Sequence, residues 1–174
     1  MSYSQVILVD ENDHEIGVME KLQAHREGKL HRAFSVLVFN SKGEILLQKR
    51  ADKKYHSPGL WTNACCSHPQ PLEETAKSAS RRLQEEIGII AETEFLFSFI
   101  YKTEFKNGMI ENEYDHVFTA RSNQLPKLNP EEASDWRYIS LEELEKDLEA
   151  RPDHYTFWFK VIMEMYRPAI FQNG

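Results

Sequence analysis

The chain is poor in cysteine, and the little it has is placed side by side. Cys65 and Cys66 are the only two thiols in 174 residues, and consecutive Cα atoms ~3.8 Å apart are too close for ordinary disulfide geometry. That excludes a stapled secreted scaffold and points to a reducing, cytoplasmic setting. Glycine and proline are scarce, seven of each. No stretch holds enough of them to act as a linker and no period repeats, so one domain over residues 1–174 is expected. Long apolar runs are missing as well. The run near the start, Val6-Ile7-Leu8-Val9, suits a strand and is too short for a leader or a membrane span. Positive charge is in deficit: 21 Lys and Arg against 28 Asp and Glu give a formal charge of −7. A field of that sign argues against nucleic acid or an anionic membrane as partner, so an anionic ligand must meet a local basic cluster.

What is present is an ordinary globular composition, 41% hydrophobic and 28% charged, with clear punctuation. Gln5 to Val9 and Glu15 to Met19 read as strands around the turn Glu11-Asn12-Asp13, and Lys21 to Glu27 reads as a helix stopped by Gly28. Phe34 to Phe39 and Glu44 to Lys49 frame Asn40-Ser41-Lys42-Gly43 as a hairpin. Trp61 to Cys66 is expected as one short strand, followed by a helix from Glu73 to Ile87 that Gly88 ends. Phe95 to Lys102 and Asn112 to Ala120 form a second antiparallel pair around Asn107-Gly108, and Trp136 to Ile139 a last strand. Ser140 and Glu143 match a capping box opening a helix to Ala150, and Thr156 to Tyr166 reads as a closing helix. The sum is a mixed sheet with helices on its faces.

Chemistry could sit in several of these segments. His25, His31 and His68 lie near other candidate ligands, and Glu111 and Glu113, two apart in a strand, share a face. Three imidazoles with two carboxylates would make a mixed N/O metal site. Imidazole favours zinc and its neighbours, carboxylate favours magnesium or manganese, and residue type alone leaves the ion open. Isolated histidines and a Glu-x-Glu pair are also ordinary surface features. Cys66 could be a nucleophile, an acid/base thiol or a small buried residue, and burial is the commonest fate of a free cysteine. Arg82 and Glu86, four apart on a helix, could hold a phosphate oxygen and its cation, or form an exposed pair worth ~0.3–0.5 kcal/mol. Lys21, Arg50, Lys53 and Lys54 add positive charge, and Trp61, Tyr101 and Trp158 supply rings that could face a developing cation or simply fill the core.

Three segments together carry a resemblance. Thr62-Asn63-Ala64-Cys65-Cys66-Ser67-His68-Pro69, then Arg81-Arg82-Leu-Gln-Glu85-Glu86-Ile-Gly88, then Glu111-Asn112-Glu113 resemble the type I isopentenyl-diphosphate isomerases of the Nudix superfamily. The likeness runs from His25 to Trp158. The Nudix hydrolase pattern G-x5-E-x7-R-E-U-x-E-E-x-G-U is broken here, with Ser67 at its first glycine and Arg82 at the glutamate after Arg81. The isomerases share that departure, which removes an acid a hydrolase needs for holding metal. The resemblance implies an α+β, Nudix-type α/β/α sandwich with a mixed, mainly antiparallel sheet. It implies interconversion of isopentenyl and dimethylallyl diphosphate, with Cys66 and Glu113 as the acid/base pair, Tyr101 assisting, and Trp158 facing the cationic centre. His25, His31, His68, Glu111 and Glu113 would hold a divalent ion (Mn²⁺, Zn²⁺ or Mg²⁺). Glu86 would hold a Mg²⁺ on the diphosphate, and Lys21, Arg50, Lys54 and Arg82 would neutralise the remaining oxygens. The partner implied is a small prenyl diphosphate, the protein itself being a monomer or weak homodimer. The rivals are a Nudix hydrolase and a non-catalytic metal-binding module.

Overall fold

The computed structural model describes residues 5–164. Among the described residues, nine strands and four α-helices follow in the order β1 (Gln5–Val9), β2 (Glu15–Glu20), α1 (Lys21–Glu27), β3 (His31–Phe39), β4 (Ile45–Arg50), β5 (Trp61–Asn63), β6 (Cys65–Ser67), α2 (Thr75–Ile87), β7 (Glu94–Glu104), β8 (Ile110–Arg121), β9 (Ala133–Ile139) and α3 (Leu141–Ala150). A final helix, α4, covers 157–164. The expected closing helix extends to Tyr166, and its last two residues lie outside the described residues. Among those described, no helix is long and apolar enough to cross a membrane.

The sheet opens like a wedge along β3 and β4. The two meet only at Phe39 and Ile45, so the expected hairpin exists at its turn and then splays. β3 instead pairs in parallel with β8 over its whole length, His31 opposite Glu113 through Phe39 opposite Arg121, and β4 pairs antiparallel with β5 and β9. The expected single strand Trp61 to Cys66 is two strands broken at Ala64, because β5 bonds to β4 and β6 to β3. This step ties the two sides of the wedge together. The sheet is mixed and mainly antiparallel.

Strand alternation gives the sheet two apolar faces. Phe34, Val36, Val38, Ala64 and Cys65 pack beneath Ala79, Leu83 and Ile87 of α2. Leu37, Phe39, Tyr101 and Val117 pack against Leu144 of α3 and Trp158, Phe159 and Ile162 of α4. The outcome is the expected helix/sheet/helix sandwich. Local chemistry sets the helix ends. α2 starts at Thr75, two residues later than the composition suggests, because the backbone is still extended at its N-cap, Glu74, at φ −68° and ψ 129°. It ends at Gly88, at φ +70°, where a Cβ would lie 2.8 Å from the Lys127 Cβ. Ser140 caps α3 by accepting from the Glu143 N–H at 3.2 Å, as the capping box requires.

Candidate active site

Parallel pairing of β3 and β8 sets one wall. Glu111, Glu113 and Asp115 alternate onto the inner face of β8 and are all buried, and His31 lies directly across from Glu113. α1 brings His25, and the chain leaving β6 brings His68. The Nδ1 atoms of His25 and His31 donate to the carbonyls of Lys21 and Lys29 at 2.7 and 2.8 Å. That tautomer leaves their Nε2 lone pairs facing inward. Glu113 Oε2 is 3.2 Å from His31 Nε2 and 2.9 Å from His68 Nε2, with His25 Nε2 3.9 Å away and lacking any hydrogen-bond partner. Lone pairs and a carboxylate oxygen pointed at one centre repel each other unless a cation lies among them. The four donors fall within 4.8 Å of one another, so the residues fit a divalent metal ion.

Glu111 belongs to an adjoining group. Its Oε2 is 3.0 Å from His56 Nε2, and His25 is common to both groups. His56 was not singled out from the sequence; a histidine in a loop with Lys and Pro nearby gives no spacing signal. The Tyr101 hydroxyl lies 2.9 Å from Glu111 Oε1 and 2.7 Å from Glu113 Oε1. One phenolic hydrogen cannot fully serve two carboxylates, so one carboxyl must carry a proton. Burial and the neighbouring Glu113 charge push Glu111 up to about 8, which makes it that carrier. Burial raises Glu113 too, but while no cation lies among these groups, hydrogens on the His68 and His31 Nε2 atoms outweigh it and hold its carboxyl well below the usual range. Burial and the two carboxylates keep Tyr101 protonated.

The opposite wall comes from the break at Ala64. Cys65 turns into the core and is fully buried, whereas Cys66 turns to the cavity. Trp158 Nε1 donates to Cys66 Sγ at 2.9 Å, and the thiol donates to Asn63 Oδ1 at 3.1 Å. Ser35, 3.9 Å from the sulfur, gives its hydrogen to Asp115 at 2.8 Å. Burial, then the Asp115 charge, push the Cys66 thiol up to about 12. It is therefore a neutral thiol at neutral pH. Ser35 and Asp115 were likewise missed, since only the fold brings them to the sulfur, and Asn63 stood in the quoted motif without a role.

Cys66, Tyr101, Glu111, Glu113, His68 and Trp158 line one cavity of about 90 Å³, together with Lys21, Arg50, Lys54 and Arg82. A second cavity of about 220 Å³ adjoins it, sharing Lys21, Ser67, His68, Arg82 and Glu132. Lys21 and Arg82 therefore stand where the two cavities meet. Burial and the Lys54 charge lower Lys21. Arg50 lies 5.2 Å over the Trp158 ring and donates to the His56 carbonyl at 3.2 Å. Arg82 Nη2 donates to Glu86 Oε2 at 3.0 Å and to Glu132 Oε1 at 3.2 Å, and Lys54 bonds the other oxygen of Glu132 at 2.6 Å. Glu86 is buried behind Arg82, where it also accepts from Gln48 at 3.2 Å. Arg82 thus stands where the hydrolase pattern has a metal-binding acid. Lys53 turns outward to Glu131, and Trp61 lies outside the cavity lining beneath Arg137, 4.7 Å away.

Fold and site define a Nudix protein: the NUDIX domain model matches residues 29–159. Solved structures agree at the level of fold. A Deinococcus radiodurans protein, DR0079, superposes with a TM-score of 0.70 at 22% identity, covering 84% of this chain and 90% of that one. A MutT protein from Methanosarcina mazei gives 0.61 at 20% identity, over 83% and 91%. Sequence relatives are narrower in kind. Isopentenyl-diphosphate Delta-isomerase 1 of Aromatoleum aromaticum is 54% identical over 92% of this chain and 90% of its own length. The enzyme of the same name from Pectobacterium atrosepticum is 46% identical over 92% and 90%. The chain belongs to the isopentenyl-diphosphate Delta-isomerase family of Nudix enzymes.

Proposed function

We propose that the protein interconverts isopentenyl and dimethylallyl diphosphate, with Cys66 and Glu113 moving protons at the two ends of the allylic unit. One observation carries this reading: a thiol, a carboxyl–phenol pair and an indole ring line the same small cavity together with Lys21, Arg50, Lys54 and Arg82. The terminal methylene gains a proton, the branched carbon becomes cationic, and the methylene nearer the diphosphate loses a proton to restore the double bond. Glu113, or Tyr101 bonded to it, serves one carbon, and Cys66 the other. The indole of Trp158 faces the cationic centre and stabilises it by ~1–2 kcal/mol where water is excluded.

His25, His31, His68, Glu113 and, after a change of partner from His56, Glu111 would hold Mn²⁺, Zn²⁺ or Mg²⁺, and Glu86 would hold a Mg²⁺ at the diphosphate. When bound, these ions supply charge neutralisation, of the Glu113 carboxyl group and of the diphosphate. Lys21, Arg50, Lys54 and Arg82 bind the remaining diphosphate oxygens and so position a tail that has no polar handle. The same reading makes the chain one cytoplasmic domain, a monomer or weak homodimer, with a prenyl diphosphate rather than nucleic acid or membrane as partner.

The test is turnover of isopentenyl diphosphate in heavy water with Mg²⁺. Dimethylallyl diphosphate carrying deuterium in a methyl group is expected. Release of phosphate or diphosphate with no isomer formed would overturn the proposal in favour of hydrolysis.

A further inference from the structure

Asn63 has no place in the chemistry above, yet its side chain is fully buried and every polar position on it is engaged. Its Nδ2 donates to the carbonyls of Val36 and Cys65 at 3.1 and 2.8 Å. Two carbonyls on that side fix which way the amide points, because a flipped amide would set oxygen against oxygen. Oδ1 is thereby presented to Thr62 Oγ1 at 2.9 Å and to Cys66 Sγ at 3.1 Å. Since Thr62 spends its hydrogen on Asn63, Thr156 is the donor in the 2.8 Å contact between the two threonine hydroxyls. The Thr156 N–H also donates to the Trp61 carbonyl at 3.0 Å. Thr156 precedes α4, whose Trp158 donates back to Cys66 at 2.9 Å. The bonds close a ring: Cys66, Asn63, Thr62, Thr156, Trp158 and Cys66 again.

Within that ring the sulfur has one acceptor, Asn63 Oδ1, and one strong donor, Trp158 Nε1. The acceptor does not line the cavity, whereas Cys66 and Trp158 do. We propose that Asn63 is a positioning residue for Cys66: its carboxamide oxygen draws the thiol hydrogen into the protein wall and fixes the rotamer that turns the sulfur's free side to the substrate. A proton exchanged with carbon crosses the cavity side, and a proton at rest is stored on the Asn63 side. The sulfur stays in place, held by Trp158, whether or not it carries the hydrogen. Asn63 itself forms and breaks no covalent bond.

The catalytic meaning rests on the isomerase reading, but the geometry can be tested without it. The sulfur–hydrogen stretching band of Cys66, isolated by subtracting the spectrum of Cys66→Ala, reports how strongly the thiol hydrogen is bonded. Asn63→Ala is expected to move that band to higher frequency. Thr62→Val, which removes the competing donor from Oδ1, should move it to lower frequency. In turnover of isopentenyl diphosphate, Asn63→Ala should lower kcat ~10-fold with KM unchanged. A band that stays put in Asn63→Ala, with native near-UV circular dichroism, overturns the proposal. Should that variant not fold, an unmoved band in Thr62→Val does the same. Opposite band shifts in a protein that makes no dimethylallyl diphosphate would uphold the positioning and reject the isomerase reading.

Discussion

The two ends of the cavity are built on opposite electrostatic plans. At one end, imidazole lone pairs and carboxylates converge with no protein cation among them, and His25 Nε2 is left without a partner. At the other, Arg82 is answered by Glu86 and Glu132, and Lys54 by Glu132. The first arrangement is incomplete until a cation enters. The second is already paired at Arg82 and Lys54, and on the proposed reading a diphosphate replaces the Glu132 carboxylate as their partner. On the proposed reading one end takes a metal ion and the other an anion, and a substrate whose charge sits wholly at one terminus would lie only one way round.

Substitutions can break that contrast. The largest effect is expected for Glu113→Gln, which removes both an acid/base group and a donor. Turnover measured by product analysis should fall ~10³-fold or more. Cys66→Ala should come next, with activity down by orders of magnitude while metal content, measured after dialysis, stays at the wild-type level. Loss of metal instead would favour a binding module. His31→Ala should weaken metal retention at least ~10-fold in competition with a chelator, leaving the fold intact by circular dichroism. Glu86→Gln acts at the other end, and a KM for isopentenyl diphosphate raised ~10-fold at limiting Mg²⁺ is expected, with kcat at saturation little changed. Equal, mild effects of Glu113→Gln and Glu86→Gln would erase the distinction between the two ends.

The smallest effect calibrates the others from outside the cavity. Asp147 accepts from Tyr155 and Arg151, with Arg137 Nη2 3.5 Å away. Burial raises its carboxyl, but Tyr155 and Arg151 outweigh that and hold it below the usual value. A depressed folded-state pKa stabilises above the unfolded value and loses that stabilisation as pH falls through the folded one. Asp147→Asn should therefore cost ~1 kcal/mol in urea unfolding at pH 7 and much less at pH 3.

Much of this was legible where the signal is local. The turn at Asn107-Gly108 has Gly108 at φ +82°, and Glu111 and Glu113 do share the buried face that period two assigns them. The motif around Cys66 marks its segment, but not the break inside it. Whether a strand bonds to one neighbour or another depends on residues far away in the chain, so neither the splay of β3 from β4 nor the β3–β8 pairing could be read locally. His56 stayed hidden for the same reason. Its ring stacks on Phe105 with centroids 4.8 Å apart, and its partner Glu111 follows it by 55 positions. Glu132 sits in an irregular segment, and nothing in its surroundings distinguishes it from other surface acids.

The break at Ala64 makes this stretch intolerant of a change in length. Cys65 and Cys66 are the same residue type, told apart only by a single step along the backbone. Inserting one residue between Asn63 and Cys65 would deliver the inert sulfur of Cys65 to the cavity slot, and deleting Ala64 would bury Cys66 under α2 and leave Ser67 in that slot. The composition of the motif would survive such an edit, and so would most of the fold. Its meaning would not, because here identity is conferred by counting rather than by kind.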